Sequence, residues 1–410
     1  MPCSAAARDD DPTPMISVDE AVQRVMRAFA PLPAERIALS DALNRVLAGD
    51  AVSSLDHPPA PMSAMDGYAV RAGDARAGAE LVVIGEAPAG RPFEGRVGAG
   101  QAVRIFTGGV VPEGADAVVI QEDAVAAAAT VQIKETPQTG ENIRRRGLDF
   151  RVGDVLIERG HRISSRDVAL LAAGDFAHVD VTRKPRVAVV ATGDELTRPG
   201  EPRAPGGIVA SSTYAIQSMV REWGGDPIDL GIIHDRAEEF ARLPDAARDM
   251  DLIITLGGAS VGDHDLIQSA LAPHGFVLDF WKIAMRPGKP LIFGRLNASP
   301  LIGLPGNPVS AMVCALLFVR PALSAMLGSP YATPVRTARM AVALKANGKR
   351  QDYIRARLSV SDGALKAEPF SLQDSSMQKI FARSDALIVR RVDAPPAAPG
   401  DEVEVLLLNG

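Results

Sequence analysis

RVAVVATGDEL, residues 186–196, carries an unbroken apolar run, 187–191, followed by a threonine, a glycine and two acids. A short apolar run bounded by turn residues reads as a strand buried on both faces, as in a parallel sheet. The same grammar continues outward. A helix is expected from Ser211, a strand at DPIDLGII (226–233), a helix from Arg236, a strand at DLIITL (251–256) and a helix after Asp263. Strand and helix alternating over 185–330 predict an α/β three-layer domain, a parallel sheet with helices on both faces.

In such sheets, ligands bind beyond the carboxyl ends of the strands, where free backbone amides and helix N-termini favour anions. Three turns lie there: ATGDEL from Ala191, LGGASVGDHD from Leu256 and LPGNPVS from Leu304. One such turn alone is most simply a tight connection. Three on one edge point to a phosphate-bearing ligand held by Gly257, Gly258, Ser260, Pro305, Gly306, Asn307 and Pro308. The turns also carry Asp194, Glu195, Asp263 and Asp265, and Asp235 follows the intervening strand. As helix N-caps these acids need no ligand. Beside anion-binding amides they suit Mg²⁺ joined to phosphate oxygens.

GGASVG also fits the nucleophile elbow of a serine esterase, centred on Ser260. Its partners are missing: only His264 and His274 follow, and the acids before His274, Asp263 and Asp265, are too near in sequence to sit on later strands. WKIAMRPGKP (281–290) groups Lys282, Arg286 and Lys289 around a Pro-Gly turn, but Ile283 and Pro290 stand where a Walker phosphate loop needs glycine and a hydroxyl residue. Alone it is a solvated basic turn; beside the three anion-friendly turns it reads as an oxyanion site.

On the N-terminal side, Val18, Val22, Val25 and Phe29 have helical spacing, with Ser17 and Glu20 as a capping box and Pro31 and Pro33 as a stop. A second helix is expected after Ser40, with Ala42, Leu43, Val46 and Leu47 on one face. Residues 51–147 are short β-rich segments separated by Gly and Pro. Ser164 to Gly174 returns to a capped helix, so the β segment is expected as an insertion between pieces 15–50 and 148–184 of a helical domain. Residues 331–410 again read as strands and form a C-terminal β-barrel-like domain. Residues 1–14 are expected to be a disordered tail.

The 410 residues carry 44 basic and 50 acidic side chains, a net charge of −6, which disfavours an electrostatic nucleic-acid binder. The longest apolar stretch, from Pro308, is interrupted by Arg320 and Pro321 short of a membrane span, and the N-terminus lacks signal-peptide character, so a cytoplasmic protein is expected. Two cysteines, Cys3 and Cys314, exclude a disulfide framework and a Cys-rich metal site. A soft metal handled here must take sulfur ligands from elsewhere.

SAMDGYA from Ser63, RIFTGGVVPEGADAVVIQED from Arg104, ENIRRRGLD from Glu141, TGDEL, GGASVGDHD, FWKIAMRPGKP and LPGNPVSA occur in one order. Together they resemble the molybdopterin molybdenumtransferase family, which includes MoeA and the gephyrin E domain, over residues 15–410. The resemblance implies an elongated homodimer of four-domain subunits with its site shared between subunits. It also implies insertion of molybdenum from molybdate into adenylylated molybdopterin with Mg²⁺, and release of AMP. By that resemblance Asp66, Thr107, Glu195, Asp235 and Asp265 are the functional polar set, Glu195 and Asp265 the metal ligands, and Arg145 a substrate contact. Lys289, Pro290, Ser310, Arg355 and Ser375 resemble molybdate-contacting positions. Arg286 stands where many relatives have Lys, and Arg is not a compact point donor. An adenylyltransferase is the protein partner so implied; a noncatalytic scaffold or cofactor carrier is the alternative.

Overall fold

The computed structural model describes residues 15–258, 270–361 and 363–408, and the chain forms two compact units, Met1–Glu35 with Thr182–Gly410, and Arg36–Val181.

In the larger unit a six-stranded sheet has the order 226–233, 186–192, 252–256, 299–304, 292–296, 276–281. The first four strands are parallel, with Val187 opposite Leu252 and Ile253 opposite Leu301. The last two are antiparallel additions, so the sheet is mixed. The reason is local: Leu296 and Ser299 pair across Asn297, which adopts φ +54, and so short a turn can only return the chain antiparallel. The helix Ser211–Glu222 buries Ile216 and Val220 in the core with Val187 and Val189. Phe240 and Leu243, from two short helices Ala237–Phe240 and Leu243–Ala246, enter a separate core with Ala188 and Val190, so helical residues cover both faces. The helix expected after Asp263 lies outside the described residues.

The apolar run from Pro308 differs from expectation. It is helical throughout Pro308–Leu327, and Arg320 and Pro321 do not break it. Proline lacks an N–H and crowds the carbonyl of the preceding turn. Here residues Ala315–Val319 widen into a π-helix just before it, which relieves the crowding. This is the one described helix long and apolar enough to cross a membrane, yet its hydropathic window is 78% buried within the protein, as a core helix would be.

The Val18–Arg27 helix packs Val18, Ala21 and Val25 into the same core. Only half of the expected capping box forms: Ser17 accepts the Glu20 N–H, while the Glu20 carboxylate pairs instead with Arg24 one turn on. Strands 335–340, 351–361, 364–369, 386–390 and 402–407 form one sheet that closes on itself where 351–361 pairs with 386–390.

The smaller unit has a six-stranded sheet in the order 117–120, 67–70, 101–105, 80–87, 130–133, 124–126. The Ser165–Ala173 helix carries the full capping box of Ser164 and Asp167. After Ser40, however, the expected helix is a 3-10 turn, Leu39–Asp41. Asn44 adopts φ +64, and the Leu47 N–H donates to His161 O at 3.0 Å, so bridging to a segment distant in sequence replaces the helical ladder. Ala42, Val46 and Leu47 are buried as the periodicity implied, but Leu43 is 52% exposed.

Candidate functional site

The parallel strands 186–192, 226–233, 252–256 and 299–304 end at one edge, and their turns enclose a cavity of about 820 Å³ within the larger unit. Of the candidate site residues, Glu195, Asp235, Gly257, Gly258, Pro290, Pro305, Gly306, Asn307 and Pro308 line it. Ser260 and Asp265 lie outside the described residues.

Close backbone approach makes this wall. Gly257 has φ +98, and a Cβ there would stand 2.7 Å from Thr192 O. The Gly257 N–H donates to Leu304 O at 3.1 Å, and a Cβ on Gly306 would meet the Gly257 Cα at 3.7 Å. The glycine turns are thus packed against one another. The helix starting at Ser211 has Ala210 at its cap and no side-chain capping bond, so its first amides have no capping side chain. Ser211, Ser212 and Thr213 of that first turn line the cavity.

The acids divide their work. Asp194 Oδ1 lies 3.2 Å from His234 Nδ1 and accepts the Asp235 N–H at 3.3 Å, tying together two strand ends. Among the described lining residues the carboxylates are Glu195 and Asp235. Among the described residues no group of three or more His, Cys, Asp or Glu forms a ready-made metal cluster.

The basic group expected around 281–290 is not part of that wall, apart from Pro290. Lys282 is buried at φ +71 with Nζ 4.2 Å from the centre of the Trp281 ring. Arg286 pairs with buried Asp352. Lys289 O accepts the Ile283 N–H at 2.9 Å, closing the Pro-Gly turn. Arg355 is 1% exposed; it donates to Gln373 Oε1 at 3.0 Å and to Asp374 O at 2.7 Å, and burial pulls its guanidinium pKa down. Ser310 is buried on the 308–314 helix, and Ser375 O accepts the Val309 N–H at 3.0 Å. Arg355 thereby holds the 373–376 turn against the start of that helix, and Ser376 and Gln378 reach the cavity.

Asp66, Thr107 and Arg145 belong to the smaller unit. Asp66 Oδ1 accepts the Thr107 N–H at 2.7 Å and its hydroxyl at 2.8 Å. The amide bond first, then the hydroxyl bond, hold its carboxyl below the ordinary range. Gly67 beside it is required, because a Cβ would stand 1.9 Å from Val119 O. Arg145 lines a shallower hollow of about 380 Å³ with Pro61, Pro112 and Arg146.

Sequence reasoning missed Arg203, Ser211, Ser376 and Gln378 as wall residues. Uncapped Ser211-Ser212-Thr213 at a helix start was a usable signal. Ser376 and Gln378 had none, since they arrive from the barrel domain.

Residues 16–174 match the MoeA N-terminal region (domain I and II), 188–325 the probable molybdopterin binding domain, and 337–408 the MoeA C-terminal region (domain IV). The chain is 35% identical over 405 residues to the molybdopterin molybdenumtransferase of Haemophilus influenzae, covering 96% of this chain and 99% of that protein. It is 37% identical to the Bacillus subtilis protein of the same name, covering 96% and 94%. A solved molybdopterin biosynthesis MoeA protein from Pyrococcus horikosii superposes with a TM-score of 0.84 at 30% identity, covering 97% and 100%. The mixed α/β domain with its strand-end cavity, joined to two β domains, is thus the architecture of a transferase of molybdenum cofactor biosynthesis. The chain belongs to the molybdopterin molybdenumtransferase family.

Proposed function

We propose that this protein inserts molybdenum from molybdate into adenylylated molybdopterin and releases AMP. One observation carries the proposal: a cavity of about 820 Å³ whose wall combines two glycine turns, an uncapped helix start and two carboxylates. The uncapped helix start at 211–213 and the Gly258 turn suit a pyrophosphate, while the Gly257 N–H is spent on Leu304 O and shapes the wall. Among the described residues the cysteine is Cys314, whose thiol burial pushes far up, so it is no ready thiolate for a soft metal and the proposal assigns the dithiolate to the pterin.

Glu195 and Asp235 fit Mg²⁺, which keeps several waters and takes one or two carboxylates beside substrate phosphates. Asp265 completes this set as a proposal. The chemistry Mg²⁺ supplies when bound is neutralisation of charge on the pyrophosphate. This chain's residues orient the two phosphates and keep Glu195 against the Gly193 turn, where a Cβ would stand 2.6 Å from Glu195 Oε2. Lys282, Arg286, Lys289, Pro290, Ser310, Arg355 and Ser375 are proposed to serve molybdate, Arg355 by setting the 373–376 turn.

The proposal extends to a cytoplasmic homodimer, to the domain divisions 15–50 with 148–184, 51–147, 185–330 and 331–410, and to docking of an adenylyltransferase. It places Asp66, Thr107 and Arg145 of one subunit at the cavity of the other. The relatives named above carry a transferase name, which favours catalysis over a scaffold role.

The test is molybdate-dependent AMP release from adenylylated molybdopterin. Wild-type protein is expected to release AMP only with molybdate and Mg²⁺, and Glu195→Gln to lower turnover at least tenfold while keeping its thermal transition. AMP release that needs no molybdate, or full turnover by Glu195→Gln, contradicts the reading.

A further inference from the structure

Among the described residues the wall of the strand-end cavity presents two carboxylates and one Lys or Arg, Arg203. Among the described residues no hydrogen bond or ion pair ties its guanidinium to the protein. It is carried by a loop built to be stiff. Strand Leu196–Thr197 pairs with Ile208–Val209, which closes the loop at its base. Within it, Arg198-Pro199-Gly200-Glu201 and Ala204-Pro205-Gly206-Gly207 each place Pro second and a positive-φ Gly third, at φ +87 and +84. The Glu201 N–H donates to Arg198 O at 3.2 Å and the Gly207 N–H to Ala204 O at 2.9 Å. These are two Pro-Gly turns of type II form, and Arg203 stands between them, preceded by Pro202. Arg198 further anchors the first turn to Asp229 at 3.3 Å. The backbone that offers this cation is therefore ordered before any ligand arrives, and less entropy is lost on binding.

We infer that Arg203 is a specificity-determining residue that grips a phosphate of the nucleotide half of the substrate across the cavity from the 211–222 helix start. The inference rests on the reading that this cavity takes a phosphate-bearing nucleotide. The guanidinium offers a planar fork that matches two phosphate oxygens, which lysine cannot reproduce. A tetrahedral oxyanion such as molybdate presents similar chemistry, so the two sources must be separated by experiment.

Binding of ADP, a pyrophosphate ester of adenosine, and of molybdate should be measured by calorimetry on the full chain at low and high salt. For Arg203→Ala we expect about tenfold weaker ADP binding, the size of one solvent-exposed charge-assisted contact, with a flatter salt dependence. Arg203→Lys should recover part of the loss, and molybdate binding should stay unchanged. If wild type binds ADP and Arg203→Ala binds it equally well, the role of Arg203 is wrong while the site stands. A loss confined to molybdate also overturns it. If wild type binds no ADP at all, the reading of the cavity fails and Arg203 falls with it.

Discussion

At Gly257 a single hydrogen atom in place of a side chain decides whether the cavity wall can close. Its φ of +98 and the 2.7 Å approach of Thr192 O leave no room for a methyl group. Gly257→Ala is expected to cost about 1–3 kcal/mol in urea unfolding, from backbone strain alone, and to weaken nucleotide binding by displacing the turn. A variant as stable as wild type would mean that the turn relaxes freely. The glycines were legible because each followed an apolar run. Asp194 and Glu195 were not separable by reading, since adjacent acids have the same spacing. His234, 40 positions away, decides it by holding Asp194 at 3.2 Å.

The Ser165–Ala173 helix is where the sequence expectation of a capped helix from Ser164 to Gly174 is met. The Asp167 carboxyl is pushed up by its partial burial, but bonds from the Ser164 hydroxyl and amide and from His161 outweigh that and hold it at about 2, against an ordinary 3.8. Because the folded value is the lower one, the stability it contributes is complete above pH 3.8 and is lost as pH falls through about 2. Ser164→Ala should cost about 1 kcal/mol near neutral pH and flatten the acid limb of a pH–stability curve. An unaltered acid limb would show that the cap does not control the carboxyl. The segment after Ser40 had equally good apolar spacing and is no helix, because Val46 and Leu47 spend their backbone on Arg162 and Val181. Periodicity reports which side chains are buried, and distant pairing decides how the backbone reaches them. The π-helix at 315–319 was equally invisible, being a response to Pro321 inside a packed core.

For the whole molecule, the order of motifs carried the domain classes, while the meeting of barrel residues Ser376 and Gln378 with the strand-end cavity depended on tertiary placement. The shared-site proposal has a direct test in subunit mixing. Asp66→Asn and Glu195→Gln proteins, each inactive, should recover roughly a quarter of wild-type activity after exchange, since about half the dimers are then mixed and one site of each is intact. No recovery after verified exchange would place the site within one subunit.

The 36–181 unit leaves and rejoins the chain at one place, where the Leu39 N–H meets Ala177 O at 3.0 Å. The 18–27 helix must therefore find its core across an excursion of about 150 residues. Closing so long a floppy loop costs roughly 3 kcal/mol more in chain entropy than closing one of a few residues. Maturation of the excursion first removes most of that difference, because its own folding draws residues 35 and 182 together. The favoured order of assembly runs from the middle of the chain outward, and the amino-terminal helix, although synthesised early, is seated late.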